Sequence, residues 1–342
     1  MALKRLLDNS SMVRRTVMFC CTVCLCAILA PRSEAGDDAN EAVEHLKKHG
    51  VEVRRAAPLM QFWLQPADAK SSAELPLRIW FDNNWKPRQE DLEYLSKVPN
   101  LYGVTFQSEG IREEWLRVLE NMPHLKEVVI VGAQFGEETT RFLAKLKELN
   151  SLNLNDTSIT DRGLENLKEL RNLEFLSLWG TEKITDKGFR ALHVKKLRFL
   201  NLEVTHVKDN AALKDATQLE YLWLMGHIDE NGFSANAGLR HLSALQNLQR
   251  LDIGSMDATT DEMDAILSRN SDLDGIKTSD GKYTRQGFIT ADGLVLKIEE
   301  IKKLEKSLWG QRPTDPWLPA PARPAPGEPT RLPHSPSKPE PL

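Results

Sequence analysis

LNSLNLNDTSITDRGLENLKELRN (residues 149–172) is followed directly by LEFLSLWGTEKITDKGFRALHVKK (173–196), and the two are equal in length. Leu149, Leu152 and Leu154 find counterparts in Leu173, Leu176 and Leu178, and Thr157 finds one in Thr181. Outward from this pair, leucines at 77, 101, 125, 149, 173 and 197 are each 24 residues apart. Leu219, Leu248 and Leu273 continue the series at intervals of 22, 29 and 25. Equal intervals of this length are the mark of a stacked array, in which each unit borrows its neighbours to bury its apolar face.

Each unit has two halves with different periods. Leu152 and Leu154 alternate inward as on a strand, whereas Leu164, Leu167 and Leu170 recur every three residues, as on a helix or 3₁₀ face. Thr157, Thr181 and Thr205 sit between the halves, where a hydroxyl can satisfy backbone groups left unpaired by the bend. Thr160-Asp161 and Thr185-Asp186 offer N-cap oxygens for the convex segment. Gly163 and Gly188 relieve crowding where it starts. The pattern predicts an α/β solenoid of about eight to nine repeats, with a parallel β-sheet on its concave face and a cap at each end.

The pattern LxxLxLxxTxITDxGLxxLxxLxx resembles the leucine-rich repeat, in the short Thr-type variety of exported planctomycete proteins. The resemblance covers roughly residues 40–278, and units 149–172 and 173–196 match it best. Glu109, Ala133, His227 and Met256 depart from it at the threonine position. The resemblance implies a ligand-binding scaffold without naming a ligand.

The rest of the chain divides around that array. Residues 1–35 read as a signal peptide: Lys4, Arg5, Arg14 and Arg15 lead an apolar run from Val17 to Ala30, and Ser33-Glu34-Ala35 supplies the small residues of a cleavage site. The run is 14 residues long, short of the roughly 20 that span a bilayer. The chain is therefore expected to be exported, with no integral membrane segment after cleavage. Residues 36–76 read as an N-terminal cap, 77–278 as the repeats and 279–310 as a C-terminal capping helix, on which Leu294, Ile298, Ile301, Leu304 and Leu308 share one face. In the last segment, 311–342, eleven of the chain's 18 prolines occupy 32 residues, which suits an extended, disordered tail.

Composition narrows the function classes. The chain is 41% apolar and 27% charged, with a net charge of −4, so it carries no basic footprint for nucleic acid. All four cysteines (Cys20, Cys21, Cys24, Cys26) lie in the signal segment, which leaves the body without thiol or disulfide chemistry. Motifs for catalysis are missing as well. His45 and His49 share a helix face at i,i+4, but the glutamate of HExxH is absent and Lys47 and Lys48 disfavour a cation, so the pair reads as a solvated face. Asn270-Ser271-Asp272-Leu273-Asp274-Gly275 opens like a calcium loop, yet position 12 is Gly281 rather than a bidentate Glu. Neither a metal nor a cofactor is expected, and the chain reads as a non-enzyme.

The concave face remains. Counting each unit from its first leucine, places three, five and seven face out of the inner sheet. Phe175, Trp179, Phe199, Tyr221 and Trp223 then cluster on three neighbouring strands, in a chain only 7% aromatic. Asn201, Glu203, Arg250 and Asp252 are their polar neighbours, and together these nine are the candidate ligand-binding residues. Two readings stay open. Exposed rings with a polar surround suit recognition of a protein or an envelope glycan. Rings that cover one another are a cross-strand ladder that stiffens the sheet. Trp80 is assigned to lid packing. A different class of function, an envelope spacer attached through the proline-rich tail, also fits the sequence.

The export reading makes a direct prediction. N-terminal sequencing of the secreted chain should place its start near Gly36, and thiol titration should then find no free cysteine; a start far downstream, or any titratable thiol, would refute it.

Overall fold

The computed structural model describes residues 41–56, 75–208, 210–224, 239–254, 258–279, 281–291, 293–299 and 301–302. The signal segment and the proline-rich tail lie outside the described residues, as do His227 and Met256.

Thirteen strands form one sheet in chain order. They are β1 (Glu52–Arg55), β2 (Leu77–Phe81), β3 (Leu101–Phe106), β4 (Glu127–Ile130), β5 (Ser151–Asn153), β6 (Phe175–Ser177), β7 (Phe199–Asn201), β8 (Tyr221–Trp223), β9 (Arg250–Gly254), β10 (Ile276–Thr278), β11 (Gly281–Thr284), β12 (Gly287–Thr290) and β13 (Val295–Leu296). From β2 to β10 every pairing is parallel. Leu152, Leu176, Leu200, Leu222 and Leu251 sit opposite one another in register and are all buried. This is a leucine-rich repeat solenoid. Its helices are α1 (Glu41–Lys48) before the array, then α2 (Gln89–Glu93), α3 (Glu137–Leu143), α4 (Asp161–Asn166), α5 (Asp186–Phe189) and α6 (Thr260–Arg269), with 3₁₀ turns in the other units.

The threonines act within their turns. Thr157 and Thr205 donate their hydroxyls to the carbonyls of Leu154 (2.8 Å) and Leu202 (2.7 Å), and Thr181 does the same to Leu178. The residue just before each threonine is left-handed or close to it: Asp156 has φ 55°, Gly180 72° and Val204 56°, and Gly132 takes the same place at 132°. Glycine fits there without strain, whereas a β-branched valine does not.

Capping departs from the sequence expectation. Thr185 accepts from the backbone N–H of Lys187 (3.2 Å), but Thr160 makes no such bond and gives its hydroxyl to Glu137 of the preceding unit (2.5 Å). The acids reach across units instead. Glu113 accepts from the N–H groups of Gly136 (2.8 Å) and Thr139 (2.7 Å), Asp161 from that of Thr185 (2.7 Å), and Asp186 from that of Lys208 (2.8 Å). Each carboxylate thus satisfies orphan donors at the start of the next convex segment. Gly188 permits that approach, since a Cβ there would lie 2.6 Å from Asp161 Cα.

The C-terminal cap is corrected more heavily. Residues 281–296 form the antiparallel strands β11, β12 and β13, and helix begins only at residue 298. Leu294, assigned to the apolar face of a helix, is exposed at 58%, and Ile289 at 38%, while Ile298 and Ile301 of that face pack partly buried against the core; Leu304 and Leu308 lie outside the described residues. Asp280-Gly281, Gln286-Gly287 and Asp292-Gly293 recur every six residues, which is the spacing of short hairpins. The meander is tied down by Tyr283, fully buried with its hydroxyl on Asp264 (2.8 Å). Arg285 donates to the carbonyls of Leu273 and Leu267 (2.8 Å each), the latter in the last turn of α6. Asn270, which opens the calcium-like stretch, spends its side chain on Leu248 N–H, Leu245 O and Ile266 O, binding two units together.

Val204 gives a test of the turn geometry. Relieving a left-handed β-branched residue should return about 1–2 kcal/mol, against roughly 0.5–1 for the extra freedom of glycine in the unfolded chain. Val204→Gly should therefore raise the melting temperature slightly, while Gly180→Val, whose Cβ would meet Asp156 Oδ1 at 2.3 Å, should lower it. Thermal denaturation of the two variants checks the pair of signs.

Candidate functional site: the concave face

The strands place seven of the nine candidate residues as the repeat register requires, and Trp179 and Glu203 follow two residues beyond the ends of their strands. Phe175, Phe199, Tyr221 and Arg250 lie side by side, as do Asn201, Trp223 and Asp252 one step along. Leu222 belongs to the leucine core, while its neighbour Trp223 belongs to a second, separate cluster on the other side of the sheet.

That second cluster is not an exposed set of rings. Phe175 (0%), Phe199 (2%) and Trp223 (5%) are buried, which overturns their expected exposure. Phe175 and Phe199 stack with centroids 4.1 Å apart and planes 17° off parallel, and Phe199 meets Trp223 at 4.8 Å. Neighbouring strands run about 4.8 Å apart, so rings in register cover one another's faces. Val129 is buried with them, and Val131 and Tyr221 pack at the margin. Tyr221 stacks on Trp223 at 6.2 Å and donates its hydroxyl to Gln249 (3.2 Å).

The polar neighbours divide in two. Asn201 (7%) and Asp252 (5%) are buried, and each accepts from the backbone N–H two residues on, Glu203 (2.8 Å) and Gly254 (3.0 Å). Asn153 does the same for Asn155 (3.0 Å), so the fifth place of these units is an Asx turn that closes the strand. Asp252 also pairs with Lys277 of the next strand at 2.6 Å, a partner that sequence reasoning did not assign. Trp179, Glu203 and Tyr221 are half-buried and Arg250 is exposed. Burial pushes the Glu203 carboxyl up to about 7, with the Asp252 charge adding to it and the Asn201 hydrogen bond and Lys277 opposing it. Asp156, beside the turn that precedes Trp179, is raised to about 6 by burial and then by Glu182.

At the other end of the same face, Trp80 lies between two guanidiniums, Arg54 of β1 at 4.4 Å and Arg78 at 4.7 Å. Arg78 in turn pairs with the buried Glu127. The N-terminal strand thus covers this part of the sheet.

The expectation for His45 and His49 is corrected. Their helix face is not solvated: His45 Nε2 and His49 Nδ1 both meet Asp91 Oδ1, at 3.0 and 2.8 Å. Asp91 lies more than 40 residues away on α2 and is fully buried. These three are the residues that could together hold a metal ion among those described.

No family model matches the chain. A proposed adenylate cyclase regulatory protein of Trypanosoma equiperdum is 27% identical over 165 residues, 48% of this chain and 25% of that one. The match therefore spans about a quarter of that relative's length. Among solved structures, an internalin C2 of Listeria monocytogenes superposes with a TM-score of 0.44 at 20% identity, over 59% of this chain and 80% of that one. An internalin F of the same organism gives 0.42 at 22%, over 54% and 50%. TLR13 in its complex with ssRNA13 gives 0.41 at 20%, over 56% and 27%. Among the described residues no helix is long and apolar enough to cross a membrane.

Glu203 carries a pH signature. Its folded value lies above the ordinary 4.5, so the folded chain retains a proton that the unfolded chain releases. The stability this supplies is complete below pH about 4.5 and is lost as pH rises through 7. Glu203→Gln keeps the neutral form at all pH values. It should match the wild-type stability in mild acid and exceed it at about pH 8, by on the order of 1–2 kcal/mol, read as a higher melting temperature; equal melting curves at both would refute the burial of this carboxyl.

Proposed function

We propose that the chain is an exported, non-enzymatic binding scaffold that takes a protein partner, or a glycan of the cell envelope, on the concave face of its repeat arc. The observation that carries this reading is the second apolar cluster itself. The preceding unit folds with Ser151 and Asn153 at the equivalent inner-face places, and Ser177 stands beside Phe175 within the cluster's own first strand, so the solenoid does not require rings there. The cluster of Phe175, Phe199 and Trp223 forms a stiff base, and the half-buried Trp179, Tyr221 and Glu203 with the exposed Arg250 form the surface a ligand would touch. Asn201 and Asp252 support that surface through their turns rather than by contact. Aromatic and arginine anchors around a packed centre are the groups that dominate binding energy.

The division of labour is testable with envelope fractions and the purified chain. Trp179→Ala and Tyr221→Ala should each weaken binding by about tenfold or more with little change in melting temperature. Phe199→Ala should instead destabilise the fold by roughly 3–5 kcal/mol. If both surface variants bind like the wild type while deletion of 311–342 abolishes binding, the chain is a tethered spacer and the concave face is not its recognition surface.

A further inference from the structure

We infer that His45, His49 and Asp91 form a site for one divalent transition-metal ion of the zinc class, which clamps the N-terminal helix onto the first repeats. The backbone creates the convergence. Residues four apart lie on one face of a helix, so α1 presents both imidazoles to the same side, and packing of Ala42, Val43 and Leu46 into the core turns that side toward α2. There Asp91 Oδ1 receives His45 Nε2 at 3.0 Å and His49 Nδ1 at 2.8 Å.

Two ring nitrogens and one carboxylate oxygen therefore point at a common volume, with all three within 4.8 Å of one another. In the hydrogen-bonded state each ring carries its proton on the nitrogen facing Asp91. Moving that proton to the other ring nitrogen, a tautomer change that alters no charge, turns two donors into two lone pairs beside an anionic oxygen. A tetrahedral zinc with ligands at about 2.0–2.2 Å needs them roughly 3.3 Å apart. The two nitrogen–oxygen separations of 3.0 and 2.8 Å then have to open by a few tenths of an ångström, and the two ring nitrogens, which lie within 4.8 Å of each other, have to settle at the same spacing.

The surroundings suit an ion. Asp91 is held from behind: its second oxygen accepts from Trp85 Nε1 at 2.8 Å, so Oδ1 is left to the imidazoles. Outer groups that fix a ligand in this way are characteristic of metal sites. His45 is steadied by Tyr94, stacked on it at 3.7 Å and 6°. The side chains of His45 and His49 are 23% and 21% exposed, which leaves a path for the ion and a fourth position for water. Of the two lysines that argued against a cation in the sequence, Lys47 pairs with Glu44 at 3.4 Å, and Lys48 is exposed to solvent, which screens its charge. Arg88 is the opposing charge, with Nε 4.0 Å from Asp91 Oδ2, and it is already paired through its other guanidinium nitrogen with Glu90 at 2.9 Å. Nitrogen and carboxylate donors together favour zinc, cobalt, nickel or copper over magnesium and calcium, which take oxygen alone.

The test uses the purified chain with zinc chloride, cobalt chloride and magnesium chloride as separate probes. Zinc should bind with a stoichiometry near one and raise the melting temperature by several degrees, magnesium should do neither, and cobalt should give the visible absorption of a tetrahedral site. The double variant H45Q/H49Q keeps side chains able to hydrogen-bond Asp91 and should lose all three responses. In the wild type, the ring resonances of His45 and His49 should shift on zinc addition, a readout that does not depend on how any variant folds. Wild-type chain whose melting temperature and His45 and His49 resonances ignore zinc, or a double variant that responds as the wild type does, would overturn the site.

Discussion

Burial of one leucine face by the next governs this molecule. A single 24-residue unit offers one short strand and one convex turn, and neither can hide its leucines alone. Only in the stack do Leu152, Leu176, Leu200, Leu222 and Leu251 become a continuous interior. The same constraint makes the ends the weak points, because the last unit at either side would expose an apolar face and an open strand edge. Both ends are closed by reversal of strand direction. β1 runs antiparallel to β2 and brings α1 with it, and β11 to β13 turn back on β10. The final strand is two residues long, which leaves little edge for another chain to extend.

Hydrogen bonds then tie neighbouring units in the direction of the stack. Glu113, Asp161 and Asp186 each reach one unit forward to backbone donors, while Asn270 reaches one unit back. Leucine burial is non-directional and tolerates small slips, whereas a carboxylate on two N–H groups does not. Packing therefore supplies the adhesion, and these polar reaches set the offset between successive units. Because each reach joins only nearest neighbours, a perturbation should pass along the array unit by unit.

What could be read from the sequence follows from the range of the forces involved. The repeat, the inward leucines and the threonine turns are local patterns with a fixed period, and the structure has them where the period placed them. The outward register of Phe175, Phe199 and Trp223 was legible for the same reason. Their burial was not, since it depends on rings from three different units meeting at the strand spacing. The C-terminal meander was hidden because Leu294 extends the helical period of Ile298 and Ile301, which are helical, and this drew weight away from the glycines at 281, 287 and 293. Asp91 carried no signal at all as a partner of His45 and His49. A separation of more than 40 residues places them together only after α1 has docked.

The two special features of the molecule stand at different ends of the same array. The histidine pair bears on α1 and α2, beside the first strands of the array, while the aromatic cluster spans β6 to β8. From β2 to β8 is six strand steps, on the order of 29 Å. Among the described residues the two are separated by the intervening strands, so any influence of one on the other would have to travel through the leucine stack and the forward-reaching carboxylates. Such coupling needs an element with two arrangements, and a close-packed, register-locked solenoid offers none between these sites. An ion at the N-terminal cap would then set how firmly the array is closed, whereas recognition would depend on the rim around the stacked rings. The ion's contribution to stability and the rim's contribution to binding would be separately adjustable in this fold, because the residues serving each lie in different units.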